Sequence, residues 1–229
     1  MRKGNGMDTA SQTMRLGPGF DLVAIAASWG GPSALATLLA GLPGDFPAAI
    51  AVVQHRSGQY PSSLARTLGR QTALTVVDAE QGMAPRPGTV YLAPPDQHLL
   101  IEPDGTLALS YAERHQFARP AADLLFASTA ASYQERAIGV VLTGKQQDGA
   151  AGAWAIKARG GRVLAQEPDT CEAPEMPAAA IRSGCVDFVL PLEQIADVLI
   201  TLVMVPGAAP LFRVPVDASL ARARRLWTA

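Results

Sequence analysis

Short apolar runs alternate along this chain with longer segments whose apolar positions recur at helical spacing. The clearest runs are Leu22–Ala27, 48–54 and 137–142, each long enough for a strand but too short for an average helix. Strands that alternate with helices are typical of βαβ units around a parallel sheet. The remaining predicted strands are 74–77, 89–92, 99–102, 106–110, 162–165 and 186–190, and the predicted helices are 32–39, 62–68, 121–133, 149–158 and 193–204.

One segment departs from this alternation. Pro103, Asp104 and Gly105 separate the apolar runs 99–102 and 106–110. Asp-Gly between two such runs is a strong hairpin signal, so we expect an antiparallel pair here. The predicted fold class is therefore α/β, a doubly wound three-layer α/β/α arrangement with a mainly parallel sheet and one antiparallel hairpin.

The composition indicates a folded protein with a single domain. Hydrophobic residues make up 48% of the 229 residues and charged residues 17%, which excludes disorder over most of the length. We assign residues 21–205 to one catalytic domain, 1–20 to a disordered N-terminal segment and 206–229 to a C-terminal tail. The two cysteines, Cys171 and Cys185, are expected to be reduced and partly buried.

Charge and hydropathy narrow the expected partners and location. The net charge of −1 provides no electrostatic basis for binding nucleic acid. The first twenty residues contain no apolar core of a signal peptide, and no run reaches the ~20 apolar residues of a membrane span. We therefore expect a cytoplasmic protein with no membrane insertion.

Three residues of complementary chemistry follow predicted parallel strands. Ser28, His55 and Asp148 each lie at, or a few residues past, a strand's carboxyl end, the edge where open α/β sheets bind ligands. A serine nucleophile needs a histidine to accept its proton and a carboxylate to orient that histidine. These residues are thus candidates for a catalytic triad.

Each candidate also has a structural alternative. Asp148 precedes the helix predicted at 149–158, where an aspartate often caps the first turn. His55 is compatible with a hydrogen-bonded structural histidine, and Ser28 with a glycine-rich turn that binds phosphate. The segment A-A-S-W-G-G-P, however, has the spacing of neither the dinucleotide and Walker motifs nor the G-x-S-x-G elbow.

The other two histidines do not indicate a metal centre. His98 and His115 have no cysteines or carboxylates at metal-ligand spacing, so neither a metal nor a cofactor is expected. We interpret His98 as structural. His115, in the loop before the helix predicted at 121–133, is a weaker candidate for substrate contact.

Six collinear blocks resemble the catalytic domain of the chemotaxis protein-glutamate methylesterases, the CheB family. The resemblance runs from about Val23 to Val203 and rests on the blocks V-A-I-A-A-S-W-G-G-P, V-V-Q-H, P-G-T-V-Y-L-A-P-P-D-Q-H, R-P-A-A-D-L-L-F, G-V-V-L-T-G-K-Q-Q-D-G-A-A-G and M-P-A-A-A-I. The resemblance implies hydrolysis of γ-glutamyl methyl esters on the cytoplasmic helices of bacterial chemoreceptors, and deamidation of certain receptor glutamines. It makes Ser28 the nucleophile, His55 the general base and Asp148 the orienting carboxylate.

The chain departs from this family in the loops that would form the oxyanion hole. The resemblance assigns the oxyanion donors to the backbone N–H groups of Trp29 and Lys145. Trp29 stands where the family has threonine or alanine, so we expect its indole either to lie across the mouth of the site or to pack against neighbouring loops. Gln146 replaces the second glycine of a G-M-G motif, so a positive φ there would strain the backbone.

Regulation is the third difference from the family pattern. Many members carry an N-terminal receiver domain, and the roughly twenty residues before the first strand are too few for one. We therefore expect either constitutive activity or control by a separate regulatory protein. The alternative to an active esterase is a catalytically weak homologue that acts as a binding module in a receptor signalling array.

Overall fold

A computed structural model of the chain describes residues 20–56 and 63–204. The predicted C-terminal tail and most of the predicted N-terminal segment lie outside these residues. Phe20 is the one described residue of that segment, and its side chain is buried in the core. The start of the helix predicted at 62–68 also falls outside the described residues.

A seven-stranded sheet with parallel pairing throughout forms the centre of the molecule, in the order β3-β4-β2-β1-β7-β8-β9. A separate antiparallel pair, β5 and β6, forms the hairpin. The predicted fold class is thus confirmed. The strands are β1 Leu22–Ala27, β2 Ala49–Gln54, β3 Thr75–Asp78, β4 Thr89–Leu92, β5 His98–Ile101, β6 Leu107–Ser110, β7 Ala137–Val141, β8 Arg162–Gln166 and β9 Phe188–Leu190.

Helices cover both faces of this sheet. Side chains of α1, α2 and α6 pack with one set of strand residues, whereas those of α3, α4, α5 and the hairpin pack with the other. The helices are α1 Gly31–Ala40, α2 Leu64–Gly69, α3 Ala122–Tyr133, α4 Ala150–Ala158, α5 Glu175–Arg182 and α6 Leu192–Met204, with short 3-10 turns at Gln134–Arg136 and Pro168–Thr170. None of these helices is long and apolar enough to span a membrane.

The central strand β1 explains why the sheet is covered on both sides. All six of its residues are fully buried, and successive side chains alternate between the two cores. Val23 and Ile25 face the α1 side, and Ala24 and Ala26 face the α3 side. A strand buried on both faces reads as a continuous apolar run, which is the pattern by which it was predicted.

One helix was not predicted. The segment 171–185 contains α5, although Pro174 and Pro177 argue against a helix there. Pro174 is the N-cap residue and Pro177 is the third helical residue, so both lie where backbone N–H groups have no intrahelical partner. Met176 and Ala180 anchor this helix to the core on the α3 side.

The strand order reverses beside β1, and this reversal creates the functional edge. On one side of β1 lie β2, β4 and β3 in that spatial order, whereas β7, β8 and β9 lie on the opposite side. The loops after β1, β2 and β7 therefore leave the sheet at one crevice, the usual ligand site of a doubly wound fold.

Candidate active site

The crevice beyond β1 and β2 contains a cavity of about 680 Å³. Ser28, the residue after β1, and His55, the residue after β2, both line it, as do Lys145 and Gln146 from the loop after β7. Asp148 lies in the same loop and is 1% exposed, behind the cavity wall. The three predicted residues therefore come from the three strands that meet at the reversal.

His55 and Asp148 are in direct contact. His55 Nε2 lies 2.7 Å from Asp148 Oδ2, a short distance typical of a charge-assisted hydrogen bond. An ionised carboxylate only accepts hydrogen bonds, so Nε2 is the protonated ring nitrogen. The other nitrogen, Nδ1, is then the one that can accept a proton.

Backbone N–H groups hold Asp148 in its ionised form. Its Oδ2 accepts from the Ala122 N–H at 2.6 Å and its Oδ1 from the Asp123 N–H at 2.8 Å, both in the first turn of α3. Burial alone would raise the pKa of Asp148, but the hydrogen bond and charge of His55, together with these two N–H donors, lower it below the ordinary value.

The structural alternative for Asp148, that it caps the helix following it, was wrong. The N-cap of α4 is Gly149, which makes no side-chain cap bond, so Asp148 does not cap the helix that follows it. It caps α3 instead. Asp123 in turn accepts hydrogen bonds from the Gly149 and Gly152 N–H groups, at 2.9 and 2.7 Å. Burial, followed by the charge of Asp148, raises the pKa of Asp123.

Gln54 joins the ends of β1 and β2. Its Nε2 donates to the carbonyl oxygens of Ser28, at 2.8 Å, and of His55, at 2.9 Å. The His55 N–H donates to Ala27 O at 2.9 Å, and the Ser28 N–H to Thr143 O at 3.0 Å. These bonds fix the backbones of both cavity residues relative to each other and to the loop after β7.

The side chain of Ser28 remains available. Within residues 20–56 and 63–204, Ser28 Oγ makes no hydrogen bond, including none to His55. Catalytic hydrogen bonds are often long without substrate and shorten only when it binds, so this geometry is compatible with a nucleophile. Ser28 also lies just before α1, with Gly30 as N-cap at φ 77°, and a Cβ on Gly30 would approach Glu172 to 2.8 Å.

The loops assigned to the oxyanion donors have two relevant features. Neither the Trp29 N–H nor the Lys145 N–H donates a hydrogen bond to any other described residue. Gln146 has φ 71°, so the positive φ considered from the sequence is present and this L-residue carries the strain. The indole of Trp29 is 58% exposed and does not line the cavity; its ring lies against Lys145 of the loop after β7, in agreement with packing on a neighbouring loop rather than across the mouth of the site.

The remaining histidines have structural partners. His98 is fully buried; its Nδ1 accepts from the Ala121 N–H at 3.2 Å and its Nε2 lies 3.1 Å from Glu113 O, in agreement with the structural interpretation. His115 Nε2 lies 3.5 Å from Asp123 Oδ2, and His115 does not line the cavity. Among the described residues, no group of three metal-ligating side chains comes together.

Several residues of this site were not identified from the sequence. Asp123, Gln54 and Thr143 act through contacts between segments far apart in the chain, and the only local signal was that each falls within one of the family-like blocks. Arg56, Arg114 and Arg119, which line the cavity, were not predicted to belong to the site.

Comparison with known proteins points to a single family. A family model described as CheB methylesterase matches residues 23–199. The protein-glutamate methylesterase FrzG of Myxococcus xanthus is 44% identical over 182 residues, which are 80% of this chain and 54% of that protein. A protein-glutamate methylesterase/protein-glutamine glutaminase of Moorella thermoacetica is 42% identical, over 83% of this chain and 46% of that protein.

A solved structure agrees with these sequence matches. The crystal structure of the Thermotoga maritima CheB methylesterase catalytic domain superposes with a TM-score of 0.77 at 39% identity. The match covers 80% of this chain and 99% of that one. The chain thus spans about half the length of the two curated relatives described above, and corresponds to the whole of an isolated catalytic domain.

Proposed function

Because this chain belongs to the CheB methylesterase family, we propose that it hydrolyses γ-glutamyl methyl esters of chemoreceptors through Ser28, His55 and Asp148. The observation that carries the proposal is the 2.7 Å hydrogen bond between His55 and Asp148 beside a cavity that Ser28 also lines. The proposal includes deamidation of receptor glutamines, since an amide differs from the ester only in its leaving group. It places the protein in the cytoplasm with the receptor helices.

The proposed first step forms an acyl-enzyme. Ser28 Oγ attacks the ester carbonyl carbon while its proton passes to His55 Nδ1, the ring nitrogen that does not face Asp148. The tetrahedral intermediate collapses when the bond to the methoxy oxygen breaks, and methanol leaves with the proton from His55. For a glutamine side chain the leaving group is ammonia.

The second step repeats this chemistry with water. The water oxygen attacks the acyl carbon while His55 accepts a proton from that water molecule. His55 then donates this proton to Ser28 Oγ as the bond to the serine breaks and glutamate is released. Asp148 stays ionised throughout and stabilises the imidazolium, a role that the lowered pKa of Asp148 supports.

Charge on the tetrahedral oxygen is stabilised by backbone donors in this proposal. The N–H groups of Trp29 and Lys145 have no other described acceptor and belong to the two loops that flank Ser28. The N-terminus of α1, three residues beyond Ser28, adds its partial positive charge. Such preorganised donors are each worth about 10²- to 10³-fold in turnover.

The test compares the natural chain with Ser28→Ala and with Ser33→Ala, a matched control at an exposed serine of α1. Methanol release from methylated receptor fragments is measured beside labelling by a fluorophosphonate. We expect Ser28→Ala to abolish labelling and reduce turnover by about 10⁶-fold, as in another serine hydrolase. Undiminished methanol release by Ser28→Ala would exclude the covalent mechanism, and no labelling of the natural chain would favour a catalytically weak binding module.

A further inference from the structure

Lys145 and Trp29 contact each other at the rim of the cavity. The Lys145 Nζ lies 4.2 Å from the centroid of the Trp29 ring, well within the range of a cation–π interaction. Both side chains are exposed, and that of Lys145 lines the cavity. The Trp29 side chain therefore contributes little to the core, and the described interaction of its indole is with the Lys145 ammonium group.

Other positive charges surround the same cavity, but they already have acidic partners. Arg119 binds both oxygens of Asp96 at 2.9 Å, and Arg114 lies 3.2 Å from Asp96 Oδ1. Arg56 lies 3.5 Å from Asp78 and donates to Ala93 O at 2.7 Å. These pairs keep the three guanidinium groups in place and neutralise part of their charge.

Lys145 differs from these arginines. In the part of the chain that the structure describes, no carboxylate lies within ion-pair distance of its ammonium group. Contact with the indole restricts the side chain to few rotamers without using its three N–H donors in an ion pair. A cation restrained in this way binds an incoming anion with a smaller loss of side-chain entropy.

The cavity rim as a whole is positive although the chain is not. Four cationic side chains, Arg56, Arg114, Arg119 and Lys145, line the cavity together with one carboxylate, Asp96. The net charge of the whole chain is −1, so this excess of positive charge is local. Such a rim attracts an acidic segment and holds it near Ser28.

We propose that Lys145, held by Trp29, is a specificity-determining residue that binds a carboxylate of the substrate close to the methyl ester. The substrate class is then an ester-bearing residue within an acidic polypeptide segment. This inference rests on the proposed esterase function and adds the chemistry by which that site selects its substrate.

The test uses two peptides that each carry one γ-methyl glutamate, flanked by glutamates in one and by glutamines in the other. Methanol release gives kcat/KM for each, and the ratio of the two values measures the preference for acidic flanks. For the natural chain we expect a preference of about 2- to 5-fold at low salt, chiefly in KM, which shrinks as screening increases.

Variants then assign that preference to the Trp29–Lys145 pair. Lys145→Gln should bring the ratio close to one, and Lys145→Arg should preserve it. Trp29→Thr should lower the ratio, Trp29→Phe should retain most of it, and Trp29→Thr with Lys145→Gln should resemble Lys145→Gln alone, because the two residues act as one unit. Arg70→Gln removes an exposed cation outside the cavity and should leave the ratio unchanged.

The outcomes separate the two proposals. Methanol release without preference for either peptide would overturn the role of Lys145 and leave the esterase function standing. A preference that survives in Lys145→Gln would also overturn it. If neither peptide releases methanol and Ser28 does not react with fluorophosphonate, both the proposed function and this inference would be overturned.

Discussion

Asp148 caps α3, the helix that contains Asp123, and Asp123 caps α4, the helix that begins just after Asp148. Asp148 accepts the N–H groups of Ala122 and Asp123 in the first turn of α3, and Asp123 accepts those of Gly149 and Gly152 at the start of α4. The carboxylate that contacts His55 is thus positioned by a second buried carboxylate. Both helix N-termini supply partial positive charge that offsets the repulsion between the two acids.

Asp148→Asn should lose both activity and stability. Asp148 Oδ2 faces the donors on His55 and Ala122, and Oδ1 faces the Asp123 N–H, so an amide nitrogen in either position would face a donor. We expect turnover to fall about 10⁴-fold through the wrong histidine tautomer. We also expect a loss of about 1–3 kcal/mol in the free energy of unfolding, because a buried donor loses its acceptor.

Methanol release and urea denaturation measure these two effects on the same protein. Asp197→Asn, at an exposed position of α6, is the matched control and should change neither quantity. Wild-type turnover in Asp148→Asn would exclude the orienting role of this carboxylate.

Asp123→Asn should change how stability depends on pH. Burial and the charge of Asp148 raise the pKa of Asp123, so the folded protein binds its proton at a higher pH than the unfolded chain does. In the natural chain, this group therefore lowers stability as pH rises from about 3.9 through the raised folded pKa. An asparagine lacks that penalty.

Urea unfolding at several pH values between about 3.5 and 7 measures the effect. As pH rises through this window, the free energy of unfolding of Asp123→Asn should increase relative to that of the natural chain, so that the variant becomes relatively more stable. A constant offset for the asparagine alone reflects its quality as a cap and does not bear on the prediction. A relative stability independent of pH would show that Asp123 titrates normally.

Gln146 should tolerate glycine better than a β-branched residue. Its φ of 71° lies in the left-handed region, which costs an L-residue about 1–2 kcal/mol and which glycine adopts freely. We expect Gln146→Gly to be neutral or stabilising by up to about 1 kcal/mol, and Gln146→Val to be destabilising by a similar amount. Thermal unfolding of both variants measures this order.

The neighbouring position provides the control. Gln147 is also exposed but has no positive φ. At this position, Gln147→Gly should therefore be less stable than Gln147→Val. The same order at both positions would mean that backbone strain at Gln146 does not contribute.

Neither cysteine should react with alkylating agents in the folded protein. Burial raises the pKa of Cys171 to about 11, and burial also raises the pKa of Cys185, which is 1% exposed. Since the thiolate is the reactive form, we expect iodoacetamide at pH 8 to modify Cys171 about a hundred-fold more slowly before than after unfolding in urea. Mass spectrometry of the two cysteine peptides measures the rates, and equal rates would contradict the buried environment.

The central part of the fold was predictable because its signals are local. β1 and β7 are uninterrupted apolar runs, and the hairpin is marked by Asp104 and Gly105. The α5 helix was not predicted, and Pro174 and Pro177 argue locally against a helix, although their positions at its start remove no intrahelical bond. The packing of Met176 and Ala180 against the core favours the helix there, and packing between distant segments is not visible in a local pattern.

The site was predictable in its residue types but not in its contacts. Ser28 and His55 stand directly after strands, so their place at the crevice follows from the topology. The hydrogen bonds between Asp148 and α3, and the contact between Lys145 and Trp29, join segments that only the folded chain brings together. The sequence indicated that Trp29 and Gln146 depart from the family pattern, but not that the Lys145 ammonium group would contact the indole of Trp29.

The place of β1 in the sheet has a consequence for the partly synthesised chain. β1 pairs with β2 on one side and with β7 on the other, and Leu22 lies opposite Ala137. A nascent chain that has not yet reached β7 therefore carries a wholly apolar strand with one unpaired edge, open to pairing with other chains. The middle of the sheet is closed only when the residues of β7 have been made, which makes products truncated before β7 prone to aggregate.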